Sequence, residues 1–314
     1  MGKIRVAVIG GGWSLEREVS LSSARTVQEN LPKEKYLVHF YDPINDLKRL
    51  IDDKDRIDVA FPVLHGRFGE DGCIQGLLKI LGVPFVGSSV MSSAMAMNKK
   101  VAKEMYEAVG LNVPKDLIVR KGDVLDVEAI VAAVGERAMV KPTVEGSSYG
   151  ISLCHGPSEI LAGINRALEL AEEVLVEEYM QGKEVTCCVM GRKNLHVLPL
   201  IEIRPNPSYP FFTYEAKYKP GASQEICPAA LDPEICEKIK DIGKKAHRVL
   251  RCRVWSRTDV IVARDRIAVL ETNTIPGMTP NSLFPKAGRA AGMSLPGLVD
   301  KLVQLALEDS ADSW

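Results

Sequence analysis

The residues best suited to chemistry stand near the carboxyl end of the chain, in the run "VLETNTIPGMT" (269–279). Apolar residues give way there to Glu271 and Asn273, two positions apart, before the chain breaks at Pro276-Gly277. If the run is a strand, side chains at positions i and i+2 leave the same face. We therefore expect Glu271 and Asn273 to point together at a shared ligand or partner.

A second apolar run, "VWSRTDVIVA" (254–263), precedes this one, and the two flank "ARDR", which predicts a hairpin. A three-residue turn sets Asp259 opposite Glu271 and Arg257 opposite Asn273, with all four side chains on one face. Like charges directly opposed across two strands destabilise the pairing. A positive group is therefore expected between the two carboxylates.

Two kinds of cation could resolve this repulsion. Arg257 could do so within a surface ion cluster, which is common and contributes little. A divalent cation is the alternative, because two carboxylates and an amide oxygen are hard donors of the kind Mg²⁺ prefers when nucleotide phosphates complete its coordination. Arg257 would then be free to bind a developing anion. The residues alone leave both interpretations open.

A loop of small residues in "MVKPTVEGSSYGIS" (139–152) follows Lys141, which is expected at the end of a strand. Successive backbone N–H groups in such a loop can curl round a phosphate. It is not a Walker A loop, in which the lysine closes the loop instead of preceding it. A plain hairpin with a surface lysine is the alternative. Lys99 lies in "MNKKVAK", a lysine-rich helix typical of a solvated face.

The segment "VLVEEYMQGKEV" (174–185) is a strand, a break at Gln181-Gly182 and a further acid, Glu184. Its backbone could hydrogen-bond an adenine edge between two domains, or it could be a simple linker.

The N-terminal "IGGGWSLEREVS" (9–20) resembles a dinucleotide-binding turn but fails its pattern, because Leu15 stands where a third glycine is required. Asp42, at the end of the next strand, lies about 30 residues past Gly10, against ~20 for a ribose-binding acid. The glycines still predict a tight turn into a helix. Glu16 in its first turn either stabilises the helix dipole or faces a cationic ligand.

The stretch "LHGRFGEDG" (64–72) leaves a strand with an irregular loop that holds His65 and Glu70. It could be a self-stabilised Ω-type loop. Loops at the carboxyl ends of strands in α/β sheets are nevertheless where ligands bind.

The elements that must position these residues fall into three regions. Residues 1–90 alternate strands and helices, which indicates a parallel sheet flanked by helices. Residues 91–181 begin with a helix rich in Met, Ala and Lys and continue as a smaller mixed sheet. Residues 182–314 contain a polar loop, a helix predicted over 233–250 and the hairpin described above.

Composition excludes several classes of protein. The formal net charge of −1 gives no general field for nucleic acid or an acidic membrane. No apolar run reaches membrane-spanning length, and "MGKIRVAVIGGG" enters a strand without signal-peptide features. Seven cysteines without a C-x-x-C pair predict reduced thiols. We expect a cytoplasmic protein that binds neither nucleic acid nor membrane.

Together the motifs "GGWSLEREVSLSSA", "LHGRFGEDGCIQG", "VKPTVEGSSYG", "YEAKY", "SRTDV" and "ETNTIPGMTPNSL" resemble the D-alanine–D-alanine ligase family of the ATP-grasp superfamily. The resemblance runs from Ile4 to Leu305. It implies an α/β fold, α+β in the C-terminal parts, in a three-domain ATP-grasp protein with an N-terminal Rossmann-like parallel sheet. One departure is Trp13, where the family usually has a small polar residue.

The resemblance also implies roles, residue by residue. The nucleotide would be bound at its phosphates by Lys99 and Lys141, at adenine by Glu177, Tyr179 and Met180, and at the ribose by Glu184. Two Mg²⁺ ions, which Mn²⁺ could replace, would be ligated by Asp259, Glu271 and Asn273. The first D-alanine would meet Glu16 and His65, and the second Ser282 and Leu283. Arg257 and the Gly277 backbone would hold the oxyanion. Ser147 and Tyr218 would join Glu16 in closing the site, and Lys217 would reach phosphate or carboxylate.

The implied activity is ATP-dependent joining of two D-alanines through a D-alanyl phosphate, with release of ADP and phosphate, for peptidoglycan precursors. A homodimer and a lid over "FFTYEAKYKPGASQE" (211–225) are also implied. The alternatives are a relative that accepts D-lactate, which Tyr218 disfavours, and another ATP-grasp ligase. A non-catalytic nucleotide-binding protein and a Rossmann oxidoreductase are further alternatives.

Overall fold

The computed structural model describes residues 2–144, 150–206 and 221–311. Within them the helices are α1 (Arg17–Asn30), α2 (Pro43–Asp52), α3 (Cys73–Ile80), α4 (Val90–Met97), α5 (Lys99–Glu107), α6 (Val127–Val134), α7 (Gly156–Leu168), α8 (Pro233–Val249), α9 (Leu283–Ala290) and α10 (Leu295–Ala311), with a 3₁₀ turn at Lys54–Arg56. No helix of these residues has the length and apolar character needed to cross a membrane.

The strands form three sheets. They are β1 (Ile4–Ile9), β2 (Tyr36–Tyr41), β3 (Val59–Pro62), β4 (Asp116–Arg120), β5 (Arg137–Pro142), β6 (Ser152–His155), β7 (Glu173–Glu178), β8 (Gly182–Met190), β9 (His196–Val197), β10 (Ile201–Pro205), β11 (Ser223–Ile226), β12 (Trp255–Ala263) and β13 (Ile267–Asn273). The first sheet is parallel in the order β2-β1-β3. The second is antiparallel, β4-β7-β5-β6, and the third, also antiparallel, is β11-β10-β8-β12-β13 with β9 on β8. The predicted α/β fold with α+β C-terminal parts is confirmed.

Two segments depart from regular strand or helix geometry. The stretch "PFVGS" (84–88) forms only an isolated parallel bridge between Phe85 and Ala60, because Pro84 lacks an N–H and Gly87 has φ +138°. The Met-, Ala- and Lys-rich helix is two helices, broken at Asn98, where the backbone is extended. The Asn98 side chain accepts from the N–H groups of Lys100 and Val101 and so begins α5 anew.

The N-terminal sheet and the C-terminal elements share one hydrophobic core. Trp255, at the start of β12, packs edge-on between Phe61 and Phe284, with ring centroids 6.0 and 5.0 Å away. α10 packs on α1 and β3, so Leu302 joins the same core as Val8. The four-stranded sheet has a separate core beneath α6 and α7. The shared core fixes the loops after β1 and β3 relative to the β12–β13 hairpin.

Candidate active site

The β12–β13 hairpin has the predicted pairing, reached by a different turn. Asp259 lies opposite Glu271, and Arg257 opposite Asn273. The assumed three-residue turn is wrong, because Ala263 N–H donates to Arg266 O (3.0 Å), which leaves a two-residue turn. A bulge between the Asp259 and Val260 pairs restores the missing residue. The two differences cancel, so the predicted pairs form.

Arg257 lies against one of the two opposed carboxylates. Its Nε donates to Asp259 Oδ1 (3.1 Å) and its Nη2 to Oδ2 (2.8 Å), while Thr186 Oγ1 donates to Oδ1 (2.5 Å). Burial opposes the charged guanidinium, but Asp259 and then Glu271 outweigh it and raise the pKa of Arg257. Arg257 therefore forms an ion pair with Asp259, but the pair is buried and is not a surface cluster.

The residues at this hairpin also suit a hard divalent cation. Two carboxylates and one amide offer only oxygen donors, as Mg²⁺ prefers. Asn273 Oδ1 accepts from Ile275 N–H (2.8 Å), which fixes the amide and leaves the oxygen a second lone pair. In the part of the chain that the structure describes, no three His, Cys, Asp or Glu side chains gather as a metal cluster. A metal here would need oxygens from a bound ligand as well.

Glu271 and Asn273 open into a cavity of about 450 Å³. Its walls come from α1, from the loops after β3 and β13, and from α5. The sequence-predicted residues among those that line it are Glu16, His65, Lys99, Arg257, Glu271, Asn273, Gly277, Ser282 and Leu283. Asp259 does not line it, but its carboxylate accepts hydrogen bonds from Arg257, which does. Half of the predicted site is thus brought to one cavity.

The N-terminal wall carries a histidine and two acids. Glu16 and His65 are both nearly buried. Burial lowers the pKa of His65, against the opposing charge of Glu16. Ser23 Oγ lies 3.3 Å from His65 Nε2 and accepts from Met278 N–H (3.2 Å), so this wall is joined to the loop after β13.

Glu70 also lines the cavity, although no role is predicted for it from the sequence. Its Oε2 accepts from Gly66 N–H (2.7 Å), and burial, with the negative charge of Glu16, raises the pKa of Glu70 to about 8. The sequence places Glu70 in an irregular loop. Only the fold shows that the carboxyl groups of Glu70 and Glu16 line the same cavity. Nearby, Trp13 is half exposed and meets Phe68 edge-on at 5.5 Å.

A side chain at position 277 would crowd Ser282 in the loop after β13. A Cβ on Gly277 would stand 2.8 Å from Ser282 Oγ. That hydroxyl accepts from Thr279 N–H (3.1 Å), and Ser282 N–H donates to Thr279 O (2.9 Å). Ser282 immediately precedes α9, so the unpaired N–H groups of that helix begin beside the cavity.

The predicted nucleotide residues form a second group, away from the cavity except for Lys99. Lys141 forms an ion pair with Glu177, which is buried. The guanidinium carbon of Arg137 lies over the Tyr179 ring, 4.2 Å from the ring centroid. Met180 follows β7 and Glu184 lies on β8, so these residues line the connection between the second and third sheets. Lys99 N–H donates to Thr143 O (2.9 Å), which ties α5 to the end of β5.

Three predicted residues, Ser147, Lys217 and Tyr218, lie outside the described residues, as does most of the predicted lid. The end of that lid segment, from Ser223, is part of strand β11.

Comparisons with known proteins extend over nearly the whole chain. Models of "D-ala D-ala ligase C-terminus" and "D-ala D-ala ligase N-terminus" match residues 105–304 and 42–88. A D-alanine–D-alanine ligase of Syntrophobacter fumaroxidans is 48% identical over 307 residues, covering 98% of this chain and 99% of that protein.

Solved structures agree. The D-alanine–D-alanine ligase from Bacillus anthracis complexed with ATP matches with a TM-score of 0.86 at 30% identity, covering 99% of this chain and all (100%) of that one. The VanG D-Ala:D-Ser ligase from Enterococcus faecalis matches with a TM-score of 0.83 at 31% identity, covering 97% and 100%.

Proposed function

The chain belongs to the D-alanine–D-alanine ligase family, and from that premise we propose how its own residues carry out the reaction. The enzyme joins two D-alanines at the expense of ATP, in peptidoglycan synthesis. The observation that carries the assignment of roles is the pairing of Asp259 with Glu271, of which Glu271 lines the cavity together with Arg257.

In the first step, the carboxylate of one D-alanine attacks the γ-phosphorus of ATP, forming a D-alanyl phosphate and releasing ADP. Lys99 and Lys141 neutralise phosphate charge, and Asp259, Glu271 and Asn273 would hold two Mg²⁺ ions. When bound, these ions stabilise the charge on the phosphate oxygens. The hard-oxygen donor set of the hairpin supports this role.

In the second step, the amine of the other D-alanine attacks the acyl carbon, and phosphate leaves. Arg257 and the Gly277 N–H stabilise the tetrahedral oxyanion. The raised pKa of Arg257 supports a permanently charged donor, and the lack of space for a Cβ at Gly277 supports close approach of the backbone.

Glu16 binds the ammonium group of the first D-alanine, and His65 lies close to its carboxylate. Ser282 and Leu283 bind the carboxylate of the second D-alanine, which the start of α9 beside the cavity supports. Adenine is bound by Glu177, Tyr179 and Met180, and the ribose by Glu184. The lid segment, with Ser147, Lys217 and Tyr218, excludes water from the acyl phosphate.

Three further assignments complete the proposal. Domains at 1–90, 91–181 and 182–314 bind substrate, bind nucleotide, and carry the metal site. The enzyme works in the cytoplasm, where ATP is available and its seven free cysteines stay reduced. It is a homodimer, which light scattering on a sizing column will test.

The defining experiment is release of phosphate from ATP that requires both D-alanine and Mg²⁺, with the product checked by mass. We expect one D-alanyl-D-alanine for each phosphate. ATP binding without turnover, or a product other than a D-alanine dipeptide, would contradict the assignment.

A second acceptor is a serious alternative, because a D-Ala:D-Ser ligase is among the structural relatives. Competition among D-alanine, D-serine and D-lactate at neutral pH will rank the acceptors, and we expect D-alanine to dominate. Tyr218→Phe should weaken the preference for D-alanine over D-lactate, and an unchanged product ratio would refute the role of that hydroxyl.

A further inference from the structure

Lys103, on α5, is a fully buried lysine outside the roles given above. Only 1% of its side chain is exposed. Its Nζ lies 2.7 Å from Asp116 Oδ2 and 3.0 Å from Glu177 Oε2. A lysine is rarely buried unless it is paired, so the contacts with two carboxylates explain how Lys103 can be buried.

The two carboxylates face each other across neighbouring strands. Asp116 begins β4 and lies directly opposite Glu177 on β7. Both side chains are nearly buried, at 4% and 3% exposure. Like charges in this arrangement repel, and Lys103 is the cation between them.

Two further lysines bind the outer oxygens of this pair. Lys100 Nζ contacts Asp116 Oδ1 at 2.8 Å, and Lys141 is paired with Glu177 Oε1. Burial opposes ionisation, but Lys141 and Lys103 lower the pKa of Glu177 on balance. If Lys141 turns to another anion, Lys103 still pairs with Glu177 and Lys100 with Asp116.

We propose that Lys103 is a positioning residue for nucleotide selection: it holds Glu177 ionised and in place, which frees Lys141 for phosphate. The proposal rests on the proposed roles of Glu177 at adenine and Lys141 at phosphate. An ionised carboxylate is an acceptor only, so it suits the 6-amino group of adenine and repels the 6-carbonyl of guanine. Lys103 thereby favours ATP over GTP without touching either.

The test must separate this role from a purely structural one. Lys103→Met alone leaves two buried carboxylates opposed and could fail to fold. The double variant Lys103→Met/Asp116→Asn removes one positive and one negative charge, which restores the balance and should keep the wild-type unfolding midpoint. In it, Lys141 is the only lysine of the set left on Glu177.

For the double variant we expect the KM for ATP to rise roughly 10-fold or more, with kcat within about 3-fold, because a charge-assisted interaction is lost. The preference for ATP over GTP should fall by a similar factor. Lys100→Met, on the same helix and the same Asp116, is the matched control and should leave both quantities unchanged. Lys103→Gln, which can still donate to a carboxylate, is the second variant if the double variant is unstable.

A folded double variant with the wild-type KM for ATP and the wild-type ATP:GTP preference would overturn the proposal. Glu177→Gln tells this failure apart from failure of the proposed function. If Glu177→Gln weakens ATP binding and the double variant does not, only the role of Lys103 is refuted. If Glu177→Gln changes neither quantity, the adenine assignment itself fails, and the proposal with it.

Discussion

Among the residues that the structure describes, two places set one carboxylate directly against another across antiparallel strands, and they resolve the repulsion differently. Between Asp116 and Glu177, a buried lysine contacts both acids at once. Between Asp259 and Glu271, Arg257 forms two hydrogen bonds with Asp259, and Glu271 lines the cavity.

The difference separates a pair neutralised by the protein's own lysines from a pair beside the cavity. The Asp116–Glu177 pair is enclosed and is contacted by Lys100, Lys103 and Lys141, so these lysine contacts belong to folding and to the positioning of Glu177. The Asp259–Glu271 pair keeps one acid turned toward the cavity that substrates must enter. That acid is where an external cation has most to contribute.

The largest expected effect tests the open pair. Glu271→Gln should lower kcat by roughly 10³-fold, because a metal ligand is lost from phosphoryl transfer. Folding should be unaffected or slightly improved, since the substitution relieves a like-charge contact. Steady-state kinetics and thermal unfolding measure the two, with Asp265→Asn in the exposed hairpin turn as control. Normal turnover with near-native affinity for Mg·ATP would show that Glu271 has no role in catalysis. The contrast between the two carboxylate pairs would then be wrong.

The next effect tests the enclosed pair. Lys103→Met should lower the free energy of unfolding by about 3 kcal/mol or more, because it leaves uncompensated buried charge. Urea denaturation measures this. Lys100→Met removes a lysine that is 30% exposed and should cost well under about 1 kcal/mol. Equal losses in the two variants would mean that burial does not distinguish these lysines.

A smaller effect tests the space around Gly277 at the cavity. Gly277→Ala places a Cβ 2.8 Å from Ser282 Oγ and should shift the loop, lowering kcat/KM for D-alanine roughly 10-fold. Gly76→Ala is the matched control, since its nearest neighbour is Val90 Cγ2 at 3.9 Å. Wild-type kinetics for Gly277→Ala would show that the Gly277 backbone does not approach the reacting atoms.

The smallest expected effect is on the way stability falls at low pH. Despite burial, Lys100 and Lys103 lower the pKa of Asp116 in the folded protein. Such a group stabilises the fold above its unfolded pKa of about 4, and this contribution is lost as pH falls through the lower folded value. Asp116→Asn should therefore flatten the loss of stability below about pH 4. An unchanged slope of unfolding free energy against pH would contradict this.

The two pairs also show what the sequence could and could not predict. Glu271 and Asn273 are two residues apart and Asp259 is one turn away, so strand alternation and a short hairpin were enough. The prediction survived an incorrect turn because the bulge compensated for it. Asp116 and Glu177 lie far apart in the chain, and only the order of the second sheet makes them neighbours.

The lysines of α5 show a second limit. Their density predicted a solvated face, yet Lys99 lines the cavity, Lys100 is partly exposed and Lys103 is buried. The reason is the break at Asn98, which begins a new helix and sets which face meets the sheets. Helical spacing could not predict the break at Asn98. It also could not predict the carboxylates that pair with Lys103.

The central claim is that Asp259 and Glu271 together hold metal for the ligation, and Mn²⁺ binding tests it most directly. Electron paramagnetic resonance should count two Mn²⁺ ions for each chain when a non-hydrolysable ATP analogue is present. In a folded Asp259→Asn/Glu271→Gln variant, at least one ion should be lost, together with D-alanine-dependent phosphate release. A variant that keeps both ions and wild-type turnover would contradict the account.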